Sequence, residues 1–159
     1  MESRGWLLIG SFFGAGLVPR APGTVGSLAS LVIWAPLCLL DVAWWIRLLV
    51  AGALFVLGVI ASDRLVVTRG EDPQVVVMDE VVGMGLALLF AHTVSALVVG
   101  FALFRLFDIW KPWPVRLADR RLKGGFGVMF DDVLAGLYAL LGLVLWERIA
   151  WPWLSATMS

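Results

Sequence analysis

Four stretches of the chain, residues 28–40, 48–61, 81–104 and 133–146, are apolar on every side of a helix. A helix without a polar face is either enclosed by protein or in contact with lipid. No stretch shows the alternation of a half-buried strand. Of the 159 residues, 61% are hydrophobic and 15% are charged, against roughly 45–50% and 25% in soluble domains. So few charges cannot cover the surface of a soluble domain of this size, so the excess apolar surface is expected to face lipid. A soluble helical protein with a large interface is the competing reading. The expected fold is all-α: a compact multi-helix membrane bundle with helical hairpins and active-site loops on one face, in a single domain over residues 1–159.

Most of these stretches fall short of the roughly 20 residues that cross a bilayer squarely. Flanking Trp residues and snorkelling Arg side chains extend them. The longest, 81–104, carries His92-Thr93 at its middle and is expected to be two shorter helices joined by a turn. With turns at 41–43 and 91–94, every polar segment falls on one face: 14–27, 63–80, 105–128 and the start of the last helix at Asp131. That face collects Arg20, Arg64, Arg69, Arg105, Lys111, Arg116, Arg120, Arg121 and Lys123, leaving Arg47 and Arg148 opposite. The positive-inside rule assigns the crowded face to the cytoplasm. Trp34, Trp44, Trp45, Trp110, Trp113, Trp146, Trp151 and Trp153 are expected at membrane boundaries, where indole rings favour the headgroup zone.

Several chemistries are excluded. The formal net charge of zero gives no reason to expect a nucleic-acid partner. Cys38 is the only cysteine and lies in an apolar run without the Arg that a cysteine phosphatase loop requires. His92 is the only histidine, which rules out a phosphohistidine mechanism with a second His and argues against a Ser–His–Asp triad. It is placed in a turn on the far face. Residues 1–4 and 6–13 have the order of a charged and an apolar leader segment, but the Gly/Pro stretch that follows reads as part of a site.

The carboxylates are the candidates for chemistry. Asp79-Glu80 and Asp131-Asp132 each precede an apolar run, and Asp108 ends a third just before Lys111-Pro112-Trp113-Pro114. Acids at helix starts are favoured by capping and by the helix dipole, so each pair alone is accounted for as a cap. Five carboxylates at one end of a low-dielectric bundle would repel one another unless a positive group sits among them. Oxygen donors of this kind suit a hard cation such as Mg²⁺. Arg105, Asp108 and Lys111 are spaced three apart on one helix face, as a salt-bridge ladder or as a phosphate clamp beside a metal ligand. The run from Gly14 to Ser27, with Gly23, Thr24, Gly26 and Ser27 at its end, leads into a helix N-terminus. It is either an ordinary turn or an anion site built on backbone N–H groups and the Thr24 and Ser27 hydroxyls. It lacks the Lys of a Walker loop. Gly124-Gly125-Phe126-Gly127 before Asp131-Asp132 is an exposed linker or a loop that lets the acids swing inward.

Four motifs occur in order between residues 14 and 136: Gly14-x-Gly16…Pro19-x-Ala21-Pro22-Gly23-Thr24-x-Gly26-Ser27; Asp79-Glu80-x-x-Gly83; Phe104-Arg105-x-Phe107-Asp108-Ile109-x-Lys111-Pro112-x-Pro114; and Gly125-x-Gly127-x-Met129-x-Asp131-Asp132-x-x-Ala135-Gly136. Together they resemble the phosphatidylglycerophosphatase A family. The resemblance implies a multi-pass enzyme of the bacterial inner membrane that converts phosphatidylglycerol phosphate to phosphatidylglycerol and inorganic phosphate with Mg²⁺. On that basis Asp79, Glu80, Asp131, Asp132 and Asp108 are expected as metal ligands. Thr24, Gly23, Gly26, Ser27, Arg105 and Lys111 are expected around the phosphate, and Asp108, Asp131, Asp132, Lys111 and Arg105 at the reaction itself. A small membrane cation transporter or channel subunit is the alternative from another class. A lipid phosphotransferase would need an Asp-Gly-x-x-Ala-Arg motif that is absent.

Overall fold

A computed structural model describes residues 4–70 and 74–150. Seven α-helices follow in order: α1 (Arg4–Gly10), α2 (Pro22–Leu39), α3 (Trp44–Arg69), α4 (Met78–Ala87), α5 (Val94–Trp110), α6 (Val115–Arg121) and α7 (Gly124–Leu145). A 3-10 turn (Ala15–Leu17) precedes α2, and α7 ends in a π-turn. The described residues contain no strand. The chain is a multi-helix membrane bundle, and Pro22–Leu39, Trp44–Arg69 and Gly124–Ile149 are each long and apolar enough to cross a membrane. Trp151 and Trp153 lie outside the described residues.

The expected breaks at 41–43 and near His92 are both present. The helices are longer than the apolar stretches, and they grow mostly at the polar end. α3 runs on through Asp63 and Arg64 to Arg69, and α7 begins nine residues before Val133, at Gly124. Two expectations are thereby corrected. Gly124–Gly127 is neither a linker nor a swinging loop but the first turn of α7, and Asp131-Asp132 lie inside that helix rather than at its start. The cause is close packing: a Cβ at Gly125 would fall on the Val59 carbonyl of α3, and one at Gly127 on the Leu122 backbone.

α4 is the centre of the bundle. Its ten residues span about 15 Å, half a bilayer, and every residue from Val81 to Ala87 is buried among α2, α3, α5 and α7. Glycines allow this enclosure. A Cβ at Gly136 of α7 would land on the Gly83 carbonyl, and one at Gly83 on the Phe104 ring and 2.8 Å from the Asp132 carbonyl. The backbones of α4 and α7 therefore touch, which sets Asp132 beside the start of α4. Trp34 is corrected from a boundary residue to a core one. It is fully buried, and its indole N–H donates to the Val81 carbonyl at 2.8 Å. Trp44, Trp45, Trp110 and Trp113 are exposed, as expected of headgroup-zone residues.

A helix end enclosed in apolar surroundings leaves carbonyls that need donors. Arg47, 1% exposed, supplies them. Its guanidinium donates to the carbonyls of Leu89 (3.1 Å) and Ala91 (2.7 Å), just past α4, and to that of Val42 (2.7 Å) in the α2–α3 turn. Asp41 lies 3.7 Å away and also meets His92 at 2.7 Å. Arg47 thus pins the two far-face turns together. His92 lies there as expected, exposed and away from the carboxylates of residues 79, 80, 108, 131 and 132.

Replacing Arg47 by Leu should leave three carbonyls without donors in a dry site. Thermal unfolding in detergent should show a loss of about 3 kcal/mol. An unchanged melting temperature would show that water reaches these carbonyls.

Candidate active site at the polar end of the bundle

At the end of the bundle opposite Arg47, a cavity of about 700 Å³ opens between the starts of α2, α4 and α7 and the end of α5. Each wall arrives for a local reason. Pro22 starts α2, where its fixed φ suits the first helical turn. α4 starts with Asp79 and Glu80 in its first turn, favoured by the helix dipole, and the Glu80 backbone N–H donates to the Asp79 carboxylate at 3.0 Å. α5 stops before Pro112, and Lys111 takes a left-handed conformation with φ 47° that turns the chain toward α6.

Asp79, Glu80, Asp108, Asp131 and Asp132 all line this cavity, so the structure brings together the five carboxylates singled out in the sequence. They are not equivalent. Asp79, Glu80 and Asp132 form one cluster, each offering an oxygen within 4.8 Å of the others. Asp131 instead accepts from the Lys111 ammonium at 2.7 Å, and Asp108 pairs with Arg105. The expected five-ligand set therefore divides into three clustered acids and two that already have cationic partners.

Burial pushes Asp79 well above the usual carboxylate range, and the neighbouring Glu80 charge adds to this. Burial likewise pushes Glu80 up to about 7, against a stabilising hydrogen bond from Asp79. Burial alone would lower the Lys111 value, but ion pairs with Asp119 (2.5 Å) and Asp131 raise it above the ordinary lysine range, so the ammonium stays charged. Glu80 Oε2 is buried without a hydrogen-bond partner among the described residues. A buried acceptor in that state costs free energy, and a cation would satisfy it. Three clustered oxygen donors with a buried, unpartnered oxygen fit a hard divalent cation held by Asp79, Glu80 and Asp132.

The remaining candidates are distributed as follows. Gly23 lines the cavity; Thr24, Gly26 and Ser27 do not. Ser27 is fully buried and donates back to the Gly23 carbonyl at 2.8 Å, and Gly26 packs on Val77. Arg105 lies behind the wall, between Asp108 and the Ser27 hydroxyl (3.5 Å). It positions Asp108 instead of facing the cavity, because the α5 face that carries it packs toward α2. The sequence reading missed Asp119, Arg120 and Lys123, which line the cavity from α6 and its end. In sequence they look like ordinary surface charges, and the one available signal was an acid eight residues after Lys111.

The arrangement can bind a phosphate ester beside a cation. Six carboxylates line the cavity with Lys111, Arg120 and Lys123 as its basic side chains, so an anionic substrate enters only if further positive charge accompanies it.

Comparison with known proteins points to phosphatases. The family model described as phosphatidylglycerophosphatase A matches residues 8–147. The chain is 36% identical to the phosphatidylglycerophosphatase A of Escherichia coli K12, covering 94% of this chain and 87% of the relative. It is 41% identical to the protein of that name from Haemophilus influenzae, covering 81% of this chain and 80% of the relative. A Bacteroides thetaiotaomicron protein called a putative phosphatidylinositol-3-phosphatase is 43% identical over 85% of this chain and 89% of its own length. No solved structure matches.

The raised values at Asp79 and Glu80 mean that the folded protein holds protons which the unfolded chain has released. Without a cation, stability should therefore fall as pH rises from the ordinary glutamate value of 4.5 through about 7. Melts of EDTA-treated protein in detergent should show a lower Tm at about pH 8 than at about pH 5, with Mg²⁺ restoring it only at the higher pH. A Tm that Mg²⁺ leaves unmoved at both pH values would contradict the cation cluster.

Proposed function

The chain belongs to the phosphatidylglycerophosphatase A family, a family of phosphatases, and we propose that it hydrolyses the terminal phosphomonoester of phosphatidylglycerol phosphate with Mg²⁺ as cofactor. The observation that supports the cofactor is the Asp79–Glu80–Asp132 cluster with the buried, unpartnered Glu80 oxygen. When bound there, Mg²⁺ supplies charge neutralisation at the phosphoryl oxygens and makes water more acidic.

The side chains divide the remaining work. Lys111, held protonated by Asp119 and Asp131, presents its ammonium to the phosphoryl oxygens. Gly23 leaves room for the Glu80 carboxylate against α2, where a Cβ would collide with it. Asp108 lines the cavity, stands outside the cation cluster and is held by Arg105. It takes a proton from the attacking water as the water oxygen bonds to phosphorus. The bond from phosphorus to the glycerol oxygen breaks, and the leaving oxygen is protonated from water in the cavity. The acyl chains stay in lipid while the headgroup reaches the charged end. By the positive-inside rule that end faces the cytoplasm of a bacterial inner membrane. A transport role is not favoured, since the acids gather at one end of the bundle beside Lys and Arg and the relatives are named as phosphatases.

Phosphate release from phosphatidylglycerol phosphate in detergent micelles tests this directly. Release should require Mg²⁺ and stop with excess EDTA. Glu80→Gln and Asp132→Asn should each lower kcat by on the order of 100-fold or more while the protein still melts cooperatively. Release undiminished by EDTA would remove the metal, and no release from well-folded protein would remove the substrate.

A further inference from the structure

Beside the cavity, and sharing Lys111 and Arg120 with it, a second groove of about 470 Å³ runs between the Lys111–Trp113 segment and α6. Its floor is apolar, from Trp110, Trp113 and Leu117, and its charged side chains are Lys111, Arg116 and Arg120, with no carboxylate in its lining. In the main cavity, by contrast, acids predominate. The three cations also differ. Lys111 is neutralised by Asp119 and Asp131. Among the described residues neither Arg116 nor Arg120 forms an ion pair. The Arg116 guanidinium leans over the groove toward the Trp110 carbonyl at 3.5 Å.

The groove continues into an exposed apolar surface. Leu106, Ile109 and Trp110 share one face of α5 and Trp113 follows just past its end; all are exposed, Trp113 by 76%. An apolar stripe leading up to exposed indoles and then to two guanidinium groups without an ion pair among the described residues has the order of a lipid: acyl chains, glycerol, then an anion at headgroup level. The proposed substrate carries two phosphates. Its terminal monoester requires the cation cluster, and its inner phosphodiester carries a single charge.

We propose that this groove is the phosphodiester subsite, with Arg116 and Arg120 gripping the inner phosphodiester while the terminal monoester occupies the acidic cavity. The inference rests on the proposed lipid phosphatase activity and specifies how the enzyme distinguishes a lipid with two phosphates from a simple phosphomonoester. Arg suits the role because its fork binds two phosphate oxygens at once. Arg116 is the clean probe, since it lines the groove but not the cavity.

The two reaction products separate the subsites. Phosphatidylglycerol retains the phosphodiester and lacks the monoester, whereas inorganic phosphate mimics the monoester alone. In neutral detergent micelles, Arg116→Gln should raise KM for phosphatidylglycerol phosphate and weaken inhibition by phosphatidylglycerol. Each effect should be about tenfold, as expected for one lost charge-assisted hydrogen bond. Inhibition by inorganic phosphate should change by less than about twofold, and Arg116→Lys should fall between wild type and Gln. Equal weakening of both products would reduce Arg116 to a diffuse positive charge and overturn the subsite, as would no change in either. A wild-type protein that releases no phosphate from phosphatidylglycerol phosphate would instead overturn the activity. In that case, retention of phosphatidylglycerol over phosphatidylcholine by wild type but not by Arg116→Gln, read by native mass spectrometry, still tests the groove.

Discussion

The enclosure of α4 governs both ends of the molecule. A ten-residue helix sealed inside a bundle has no water at its C-terminal end and only the cavity at its N-terminal end. At one end Arg47 gives its donors to the carbonyls beyond the helix. At the other, Asp79 and Glu80 occupy the first turn, where the dipole favours negative charge but the low dielectric disfavours it. Such a conflict would not persist in a plain structural helix, where uncharged caps satisfy the same N–H groups. Burial at that end makes the acids costly as free carboxylates, which is the basis for proposing them as ligands of a cation.

The surrounding helices refine this site. The glycine contact between Gly83 and Gly136 brings α7 against α4, so Asp132 joins the α4 pair while Asp131, one residue earlier, points to Lys111. Adjacent residues on a helix differ in direction by about 100°, and here that angle separates an acid of the proposed cation cluster from one that fixes the lysine proposed to bind phosphate. Arg105 secures Asp108 from behind in the same way. The cavity thus combines a strongly negative pocket with cations held on its rim. That combination attracts a cation and disfavours a phosphomonoester that arrives without one.

Much of this was legible in the sequence. The all-apolar stretches, the turn at His92 and the grouping of polar segments on one face follow from periodicity and parity, and the five acids do meet. The failures share a cause. By residue type Trp34 reads as an interface indole and Gly124–Gly127 as a linker or swinging loop, while Arg47 reads correctly as a far-face residue but not as a buried one. Each is instead determined by what packs against it: the Val81 carbonyl, the α4 terminus and the Val59 carbonyl of α3. Ser27 and Gly26 look like phosphate-loop residues but support α2 from inside. Asp119 and Arg120 gain meaning only when α6 folds over the cavity mouth. Tertiary contacts of this kind leave little trace in a single sequence.

The central claim is that Asp79, Glu80 and Asp132 form a divalent cation site. Mn²⁺ is a close substitute for Mg²⁺ at oxygen sites and scatters anomalously. A crystal structure with Mn²⁺ should show an anomalous peak in contact with all three carboxylates, and the peak should vanish in Asp132→Asn. A peak centred on Asp108 and Asp131 instead, or none at a Mn²⁺ concentration that supports turnover, would contradict the account.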